Sequence, residues 1–600
     1  MVRRMIRIGG ASAFWGDSAI AVPQLLNDGR LDYLVFDYLA EVTMSIMARA
    51  RAKDPHAGYA PDFVHAIARV LPRLAEAGVK VIANAGGVNP RACAEALAAR
   101  VAAAGLDLKI GLVLGDDLLP RADAYRAAGV REMSTGAALP PAPLSMNAYL
   151  GARPIAAALD RGADIVITGR CVDSALTLGA ALHEFRWAPD DFDRLAGASL
   201  CGHIIECGAQ ATGGLHTDWE KTGDWANIGY PIAELAEDGS FMVTKPPGTG
   251  GLVSPATVGE QLLYEIGDPR AYLLPDVTCD FTAVTITKAG TAAGEDRVCV
   301  AHARGRSPTD SYKVSVTYQD GYRVGAYLTI AGLDAARKAE RVADAVLRRC
   351  AGMLRATNLP PFTETNVEVI GAEAAYGSHS RARSAREVNL KLAARHPEAR
   401  ALEILVRELT SSGTSMAPGI GGMGGNRPKV MPMVRLFSCL VPKADVPITV
   451  EVAGRAAAAP PTLAGGFDPA ALPPDTKGEI AIVPPDAPSV PLVALAWGRS
   501  GDKGDQANIG LMARRAEYLP FIRAALTERS VAAFFAHHVR GRVERFELPG
   551  IHGLNFVLHA ALGGGGAASL RNDPQGKAFA QMLMDYPVPV TPAIAARCGA

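Results

Sequence analysis

The first 175 residues alternate short apolar runs with amphipathic helical stretches, and each run ends in small or polar residues. The runs are, in chain order, Met5–Ile8, Tyr33–Phe36, Val79–Ala83, Lys109–Leu114 and Asp164–Thr168. Strands that alternate with helices form parallel sheets, because the chain must cross back over the sheet before it adds the next strand. The sequence therefore predicts an α/β fold whose N-terminal parallel sheet carries helices on both faces. Helices are predicted over Asp62–Ala77, with a break at Pro72, and over Asn147–Arg161.

The chain changes character after residue 270. Two strand-like runs, Tyr312–Tyr318 and Tyr322–Ile330, flank Asp320-Gly321, which predicts a hairpin. Residues 455–490 are rich in Ala, Pro and Gly, which is typical of a linker. The predicted units are an α/β domain over 1–270, an α+β region over 271–454, that linker, and a small ferredoxin-like α+β domain over 491–590.

Charge and cysteine content exclude several classes of protein. Lys+Arg 61 balance Asp+Glu 61, so we expect no nucleic-acid or membrane partner. No signal peptide and no apolar run of about 18 residues is evident. The nine cysteines include no CxxC pair, which fits reduced thiols in the cytoplasm. We expect a cytoplasmic protein and, as for many large enzymes, a homo-oligomer.

Ligands in open parallel sheets bind beyond the carboxyl ends of the strands. The residues at those ends that we expect to bind a ligand are Asp17, Asn84, Gly86, Gly87, Asp116, Arg170 and Asp173. Gly and Asp also form turns, so each end taken alone has a purely structural reading. Asp37 and Glu41 lie four residues apart and form a candidate carboxylate pair for proton transfer.

The segment from Cys201 to Gly214 holds a second set of candidate catalytic residues. His203 and Glu206 are three residues apart, so they would share a face of a helix. Glu206, Cys207 and Gln210 could serve as acid/base, nucleophile and orienting group. The alternative is a buried helix whose polar residues are satisfied internally.

Two glycine-rich segments are candidates for anion binding. The first runs from Gly498 to Gly510, and its candidate binding residues are Arg499, Ser500, Gly501, Asp502, Lys503, Gly504, Asp505 and Asn508. Successive amides can form an anion nest, and the two cations add positive charge. The second runs from Gly419 to Arg427, with Gly421, Gly422, Gly424 and Arg427 as candidates for phosphate. The alternatives are a polar loop with internal ion pairs and a mobile loop.

No cofactor is predicted. Neither glycine segment matches a P-loop or a dinucleotide-binding motif, and no flavin or pyridoxal signature is present. Aspartates such as Asp276 and Asp280 offer oxygen ligands for a divalent metal. No compact ligand motif is present, so we assign no metal ligands, although a divalent metal is not excluded.

Seven stretches resemble the acyclic terpene utilisation protein A (AtuA) family. They are IGGASAFWGDS from Ile8, NAGGVNP from Asn84, LGDDL from Leu114, ITGRCVDSA from Ile167, ECGAQATGG from Glu206, LPDVTCD from Leu274 and GRSGDKGDQANIG from Gly498. The last resembles the small ferredoxin-like domain that follows the main AtuA domain. The resemblance implies catabolism of citronellol, geraniol and related branched acids as acyl-CoA esters. It also implies gene neighbours that encode carboxylases, hydratases and acyl-CoA dehydrogenases. It supplies no established catalytic residues.

These observations favour an enzyme that acts on a branched or isoprenoid acyl-CoA or a related carboxylic acid by hydration, dehydration or lyase chemistry. Asp37, Glu41 or Glu206 would be the base, His203 its partner and Arg170 a carboxylate clamp, while Lys503 and Arg499 would hold a phosphate or carboxylate. One alternative is a CoA-transferase-like enzyme with Glu206 as nucleophile. Another is a non-catalytic scaffold that assembles other acyl-CoA catabolic enzymes.

Overall fold

The computed structural model describes residues 4–27, 30–289, 296–423, 427–461, 463, 465–475 and 477–599, apart from the side chains of residues 41 and 42. Up to residue 270, the strands are β1 Met5–Gly10, β2 Tyr33–Phe36, β3 Lys80–Ala83, β4 Ile110–Leu114, β5 Pro143–Ala148, β6 Ile165–Thr168, β7 Ile232–Ala236 and β8 Phe241–Thr244. The helices there are α1 Ala21–Asn27, α2 Glu41–Lys53, α3 Pro61–Ala68, α4 Leu71–Ala77, α5 Pro90–Ala103, α6 Ala122–Ala127, α7 Arg153–Asp160, α8 Ala175–Phe185, α9 Phe192–Ile205 and α10 Pro255–Leu262.

From residue 271 to 458, the strands are β9 Tyr272–Leu273, β10 Thr278–Asp280, β11 Thr285–Lys288, β12 Val298–Ala301, β13 Arg304–Arg306, β14 Ser311–Ala331, β15 Glu364–Ile370, β16 Glu387–His396, β17 Ile420–Gly422, β18 Met431–Pro442, β19 Thr449–Val452 and β20 Arg455–Ala458. The helices are α11 Ala335–Ala356 and α12 Ala399–Ser415. After the linker come β21 Ser489–Pro491, β22 Ala496–Lys503, β23 Gln506–Ala513, β24 Val543–Leu548, β25 Gly553–Leu558 and β26 Pro587–Pro589, with α13 Leu519–Ala525, α14 Glu528–Phe534, α15 Phe579–Leu583 and α16 Pro592–Arg597.

The largest sheet has the strand order β11-β12-β8-β7-β1-β2-β3-β6-β4-β19-β20. Its centre, β1-β2-β3-β6-β4, is parallel, as the strand–helix alternation predicts. Side chains alternate between the two faces: Tyr33 and Val35 pack into one core with α8 and α9, while Leu34 and Phe36 pack into a second core with α1 and α3. Helices on both faces bury the strands from both sides, which explains why the strands are continuously apolar.

A second sheet has the order β15-β16-β14-β17, with β5 and β18 also paired to β14. The predicted hairpin at Asp320-Gly321 is wrong, because residues 311–331 form one strand. β18 pairs along the first part of β14 and β16 along the second, so the chain bends and shifts register between Gln319 and Tyr322 instead of reversing. The predicted start of a helix at Asn147 is also wrong: Asn147 lies in β5, where it pairs with Ser315 of β14, and α7 begins at Arg153.

The sheets draw strands from both sides of residue 270, since β5 pairs with β14 and β4 pairs with β19. The domain boundaries inferred from the sequence remain predictions. The segment that follows β20 is bound to both neighbouring units: the Phe467 amide donates to the Pro308 carbonyl at 3.2 Å, and the Ala481 amide donates to the Pro520 carbonyl at 3.1 Å.

The C-terminal unit is a ferredoxin-like α+β domain. Its four-stranded antiparallel sheet has the order β22-β23-β25-β24. Ile509, Leu554 and Phe556 of the sheet share one core with Phe535 and Phe579 from the helical side. One face of this small sheet is thus covered by its own helices, which leaves the β22–β23 hairpin free to contact the larger unit.

Candidate active site

Three carboxylate side chains meet at the carboxyl edge of the parallel strands. Asp37 follows β2, Asp173 precedes α8 and Glu206 follows α9. Together with Ser12 and Thr177 they line a narrow gap that is too small to hold a water molecule. We call Asp37, Asp173 and Glu206 the carboxylate cluster. A sheet edge of this kind is where the topology of α/β proteins brings residues from separate strands together.

Asp37 is buried, with 7% of its surface exposed. Its Oδ1 accepts hydrogen bonds from Asn84 Nδ2 at 2.6 Å and from the Leu39 amide at 3.2 Å. Burial raises the pKa of Asp37 well above its ordinary value, and the charge of Asp173 adds to this, while Arg170 and Asn84 oppose it. The protonated acid is therefore favoured at this position, as is required of a proton donor.

Arg170 lies beside the carboxylate cluster and is 3% exposed. Its Nη1 donates to Asp173 Oδ1 at 2.5 Å and to the Cys171 carbonyl at 2.8 Å, and its guanidinium carbon lies 4.1 Å from the centre of the Tyr149 ring. The neighbouring carboxylate Asp116 accepts the Arg170 amide at 2.9 Å. Burial raises the pKa of Asp116 to about 7. Arg170 thus supplies the positive charge that balances this group of acids.

The predicted pairing of His203 and Glu206 on one helix face is present at the end of α9. His203 Nδ1 lies 3.0 Å from Glu206 Oε1, and His203 Nε2 lies 3.2 Å from the Leu262 carbonyl oxygen. A carbonyl only accepts, so Nε2 carries a proton and a second proton is shared between Nδ1 and Oε1. Burial raises the pKa of Glu206 to about 7, although His203 opposes this. Glu206 is therefore poised for proton transfer near neutral pH, with His203 behind it as a positioning residue.

The C-terminal domain contributes Lys503 to the same place. The predicted glycine loop is in fact the hairpin β22–β23, which turns at Gly504-Asp505. Lys503 Nζ lies 6.0 Å from the centre of the Tyr272 ring, and its charge acts on the pKa values of Glu206 and His203. Lys503 is the cation that this domain places beside the carboxylate cluster.

Several other polar residues of the hairpin join the two units. Arg499 donates to Gln210 Oε1 at 2.6 Å and to the Gly214 carbonyl at 3.0 Å. Asn508 Nδ2 donates to the Leu263 carbonyl at 2.7 Å. Within its own domain, the Ser500 hydroxyl donates to the Gly576 carbonyl at 2.7 Å. These side chains are engaged in protein contacts in this conformation, and their roles in ligand binding stay predictions.

Two hairpin glycines permit the close approach of the domains. A Cβ on Gly501 would lie 2.5 Å from the Tyr264 ring, and a Cβ on Gly510 would lie 2.4 Å from Leu263 Cβ. Both distances are far below van der Waals contact, so these positions need glycine for packing. Nearby, Gln575 Nε2 donates to Asp502 Oδ1 at 3.2 Å, and Asp505 Oδ1 accepts the amide of residue 564 at 2.8 Å.

Asp17, Gly86 and Gly87, which the sequence predicts to bind a ligand, lie among contacts within the larger unit. Asp17 accepts hydrogen bonds from the Ala13 amide and the Tyr230 hydroxyl, both at 2.8 Å. The Gly86 amide donates to the Thr168 carbonyl at 3.0 Å, which joins β3 to β6 beside Gly87. Their roles in binding stay predictions.

Burial and the charge of Glu206 raise the pKa of Cys207 well above its ordinary value. The thiol therefore stays protonated, which makes it a poor nucleophile.

The second glycine segment is separate from the carboxylate cluster. Gly421 and Gly422 lie in β17, which pairs with β14 in the second sheet, and Arg427 is exposed. Gly424 and the side chain of Glu41 lie outside the described residues. Phosphate binding by this segment therefore remains a prediction.

Sequence reasoning missed Ser12, Thr177 and Tyr272. Ser12 lies two residues after the end of β1, and its hydroxyl donates to the Asp37 carbonyl at 2.8 Å. Thr177 lies in the first turn of α8, four residues after Asp173, so helical spacing was a usable signal. Tyr272 carries no local signal, because its ring reaches His203, at a centroid distance of 5.7 Å, only through the tertiary fold.

Within the described ranges, no three His, Cys, Asp or Glu side chains are arranged so as to hold a metal ion. None of the helices that the structure describes is both long and apolar enough to cross a membrane.

Comparison with known proteins identifies two matching regions. Residues 6–452 match the family model described as acyclic terpene utilisation family protein AtuA. Residues 490–589 match the model described as AtuA ferredoxin-like domain. No curated protein and no solved structure matches the chain.

Proposed function

The chain belongs to the acyclic terpene utilisation family, and we propose that it catalyses proton-transfer chemistry on a branched or isoprenoid acyl-CoA or a related carboxylic acid. The reaction class is hydration, dehydration or C–C lysis without a redox cofactor. The observation that carries this proposal is Glu206, whose pKa is raised to about 7, in a shared gap with the buried acid Asp37. Two carboxyl groups with different environments are the usual means of providing a base and an acid at one pH.

A dehydration illustrates the roles. The Glu206 carboxylate accepts a proton from the carbon next to the carbonyl, and the released electron pair forms the C=C bond. The hydroxyl on the neighbouring carbon leaves with the proton of Asp37 as water. Glu206 then holds one proton more and Asp37 one fewer, and exchange with solvent restores both groups. Hydration is the reverse of these steps.

Binding of the substrate would use the positive charges that face the cluster. Lys503 would attract the carboxylate or thioester end of the ligand. Arg170 would hold the Asp173 side chain in position at the edge of the gap through their ion pair. The gap is too narrow in this conformation to admit a water molecule, so its lining side chains would have to move apart before the reacting end of an acyl-CoA could enter it. The CoA moiety would lie outside.

The direct experiment combines ligand binding and turnover. The purified protein is screened by thermal shift against acetyl-, 3-methylcrotonyl-, geranyl- and glutaconyl-type thioesters, their free acids and free CoA. Ligands that stabilise the protein are then incubated with it, and products that gain or lose water are sought by mass spectrometry. Glu206→Gln should bind the same ligands but lose turnover by about 100-fold or more. The variant Glu403→Gln, at an exposed position of α12, is the matched control and should turn over normally.

Acyl transfer through Glu206 is a second candidate. Among the described residues, Glu206 Oε1 is bonded to His203, whereas no partner is found for Oε2. A free carboxylate oxygen could attack a thioester carbonyl, form an acyl–glutamyl anhydride and release the CoA thiolate. Hydroxylamine would convert such an adduct to a hydroxamate at residue 206. Mass spectrometry of the digested protein distinguishes this result from hydro-lyase chemistry, in which residue 206 stays unmodified.

A further inference from the structure

A loop of the second sheet reaches across to the C-terminal domain. Residues 371–386 connect β15 to β16, and we call them the β15–β16 loop. The side chains of Ala375 and Tyr376 pack against the apolar core of the C-terminal domain, and the His379 ring stacks on Phe534 at a centroid distance of 4.5 Å. The loop thus joins the second sheet to the C-terminal domain, and none of its residues belongs to the carboxylate cluster.

Two adjacent histidines of the C-terminal domain bind the same backbone atom of this loop. Nε2 of His537 lies 2.8 Å from the Ala375 carbonyl oxygen, and Nε2 of His538 lies 3.0 Å from it. A carbonyl oxygen only accepts and has two lone pairs, so both Nε2 atoms carry a proton and donate. The centroids of the two rings are 4.1 Å apart. Each histidine makes this contact as a neutral ring whose Nδ1 carries no proton.

The rings are closely packed. Gly377 has a φ of 55°, and a Cβ at this position would lie 2.6 Å from the His537 ring, so the loop needs glycine there. On its other side the His538 ring stacks on Phe579 at a centroid distance of 5.2 Å. Such packing leaves little room for water to solvate a charge on either ring.

A charge on these histidines would not be neutralised by an ion pair. Within the described ranges, no carboxylate pairs with His379, His537 or His538, and neither Nδ1 of the histidine pair has a hydrogen-bond partner. Two cations lie beside the pair instead. Arg571 donates to the His538 carbonyl at 3.1 Å, and Arg540 donates to the His537 carbonyl at 3.5 Å.

Most carboxylates on the neighbouring elements have partners of their own. Glu373 accepts the Arg381 amide at 2.6 Å, Glu368 pairs with Lys391 at 2.8 Å, and Glu364 pairs with Arg395 at 2.9 Å. The carboxylates whose charges act on Arg571 or on Tyr376 are Asp505, Glu364, Glu368, Glu373 and Asp585.

Burial lowers the pKa of His537, and it lowers the pKa of His538 to about 4. Arg571 and Arg540 act in the same direction, while the hydrogen bond to Ala375 opposes it. A histidine whose pKa is lowered in the folded state stabilises its contact fully above its ordinary pKa of about 6.5, and this stabilisation is lost as pH falls toward 4. For His538 alone, the equilibrium constant for opening of the contact rises about 20-fold between pH 7 and pH 5.

We propose that the contact between the β15–β16 loop and the His537–His538 pair is an acid-sensitive switch, which is closed near neutral pH and releases the loop when the histidines become protonated. Two imidazolium rings at this separation, beside two arginines, repel each other. The hairpin β22–β23 still holds the C-terminal domain to the larger unit, for example through Asn508 and the Leu263 carbonyl, so the loop opens locally. The inference does not depend on the proposed function, because turnover plays no part in it.

The test is hydrogen exchange of the full chain at pH 7 and pH 5, measured by mass spectrometry of peptides. The amides of Tyr376 and Arg381 donate to Glu373 and report on the loop. Their protection factor, the exchange rate of an unstructured peptide divided by the measured rate at the same pH, should fall by about 20-fold or more from pH 7 to pH 5. Peptides from β25, in the core of the C-terminal domain, should keep their protection.

Variants assign the pH dependence to the histidine pair. The double variant His537→Gln, His538→Gln retains two amide donors that do not titrate, so it should keep the protection of the loop at pH 7 and lose most of its pH dependence. His56→Gln, at an exposed position far along the chain, is the matched control and should behave like the unaltered protein.

Three results would overturn the inference. The first is a change of less than about threefold in the protection factor of the loop in the unaltered protein. The second is an equal loss of protection in β25, which would mean general unfolding. The third is an unchanged pH dependence in the double variant. If the double variant does not fold, the comparison of the loop with β25 in the unaltered protein decides.

Discussion

Replacement of Glu206 by Gln should make the free energy of unfolding of the protein less sensitive to rising pH. Burial raises the pKa of Glu206 from 4.5 to about 7. A carboxyl group with a raised pKa holds its proton more tightly in the folded state, so its contribution is fully present below pH 4.5 and is lost as pH rises toward 7. At about 1.4 kcal/mol per pH unit, the loss reaches about 3 kcal/mol above pH 7.

Gln carries no charge and can donate to His203 Nδ1, so the variant avoids this loss. For a protein of 600 residues, a difference of about 3 kcal/mol in the free energy of unfolding corresponds to a difference of about 3 °C in Tm. Thermal unfolding of both proteins should therefore give similar Tm values at pH 5 and a higher Tm for Glu206→Gln at pH 8. Glu403→Gln should follow the unaltered protein at both pH values. Equal pH dependence in Glu206→Gln and the unaltered protein would refute a buried, proton-holding Glu206.

Three further predictions concern the contact between the larger unit and the C-terminal domain, and a fourth substitution, Gly352→Ala, is a control. Glu260→Ala should cost about 3–5 kcal/mol in urea unfolding, because the buried Arg499 guanidinium and the His216 ring lose the fully buried carboxylate that pairs with them. Gly510→Ala should cost about 1–3 kcal/mol, whereas Gly352→Ala, in α11 with open space around it, should stabilise the protein by about 1 kcal/mol. Asp218 pairs with Arg514, which holds the pKa of that carboxyl well below its usual range. Its stabilisation is present above pH 4 and lost only in strong acid, so Asp218→Asn should lower Tm at pH 7.

The parallel sheet was predictable from sequence because the information is local. Each strand is an apolar run followed by a turn and a helix, and helical spacing likewise predicted that His203 and Glu206 share a face. Asn147 shows the limit of this approach. The apolar pattern around it also fits a helix, and only pairing with β14, more than 150 residues away, makes it a strand.

The glycine-rich segment near the C-terminus shows a second limit. Glycine, aspartate and lysine in one short stretch are typical of an anion-binding loop, but the same glycines also permit two domains to approach closely. Gly501 and Gly510 permit this close approach, and Lys503 lies beside the carboxylate cluster. Which residues of the hairpin face a ligand depends on the surface of the larger unit against which the hairpin packs. The sequence of the hairpin alone does not encode that surface.

Hydrogen exchange in the substrate tests the central claim most directly. The protein is incubated in D2O with each thioester and free acid of the panel, and deuterium on the carbons activated by the carbonyl is measured by mass spectrometry. The account predicts that the unaltered protein incorporates deuterium into at least one compound, and that Glu206→Gln slows this by about 100-fold or more while Glu403→Gln does not. Exchange that persists in Glu206→Gln, or no exchange with any compound of the panel, would contradict proton transfer at Glu206.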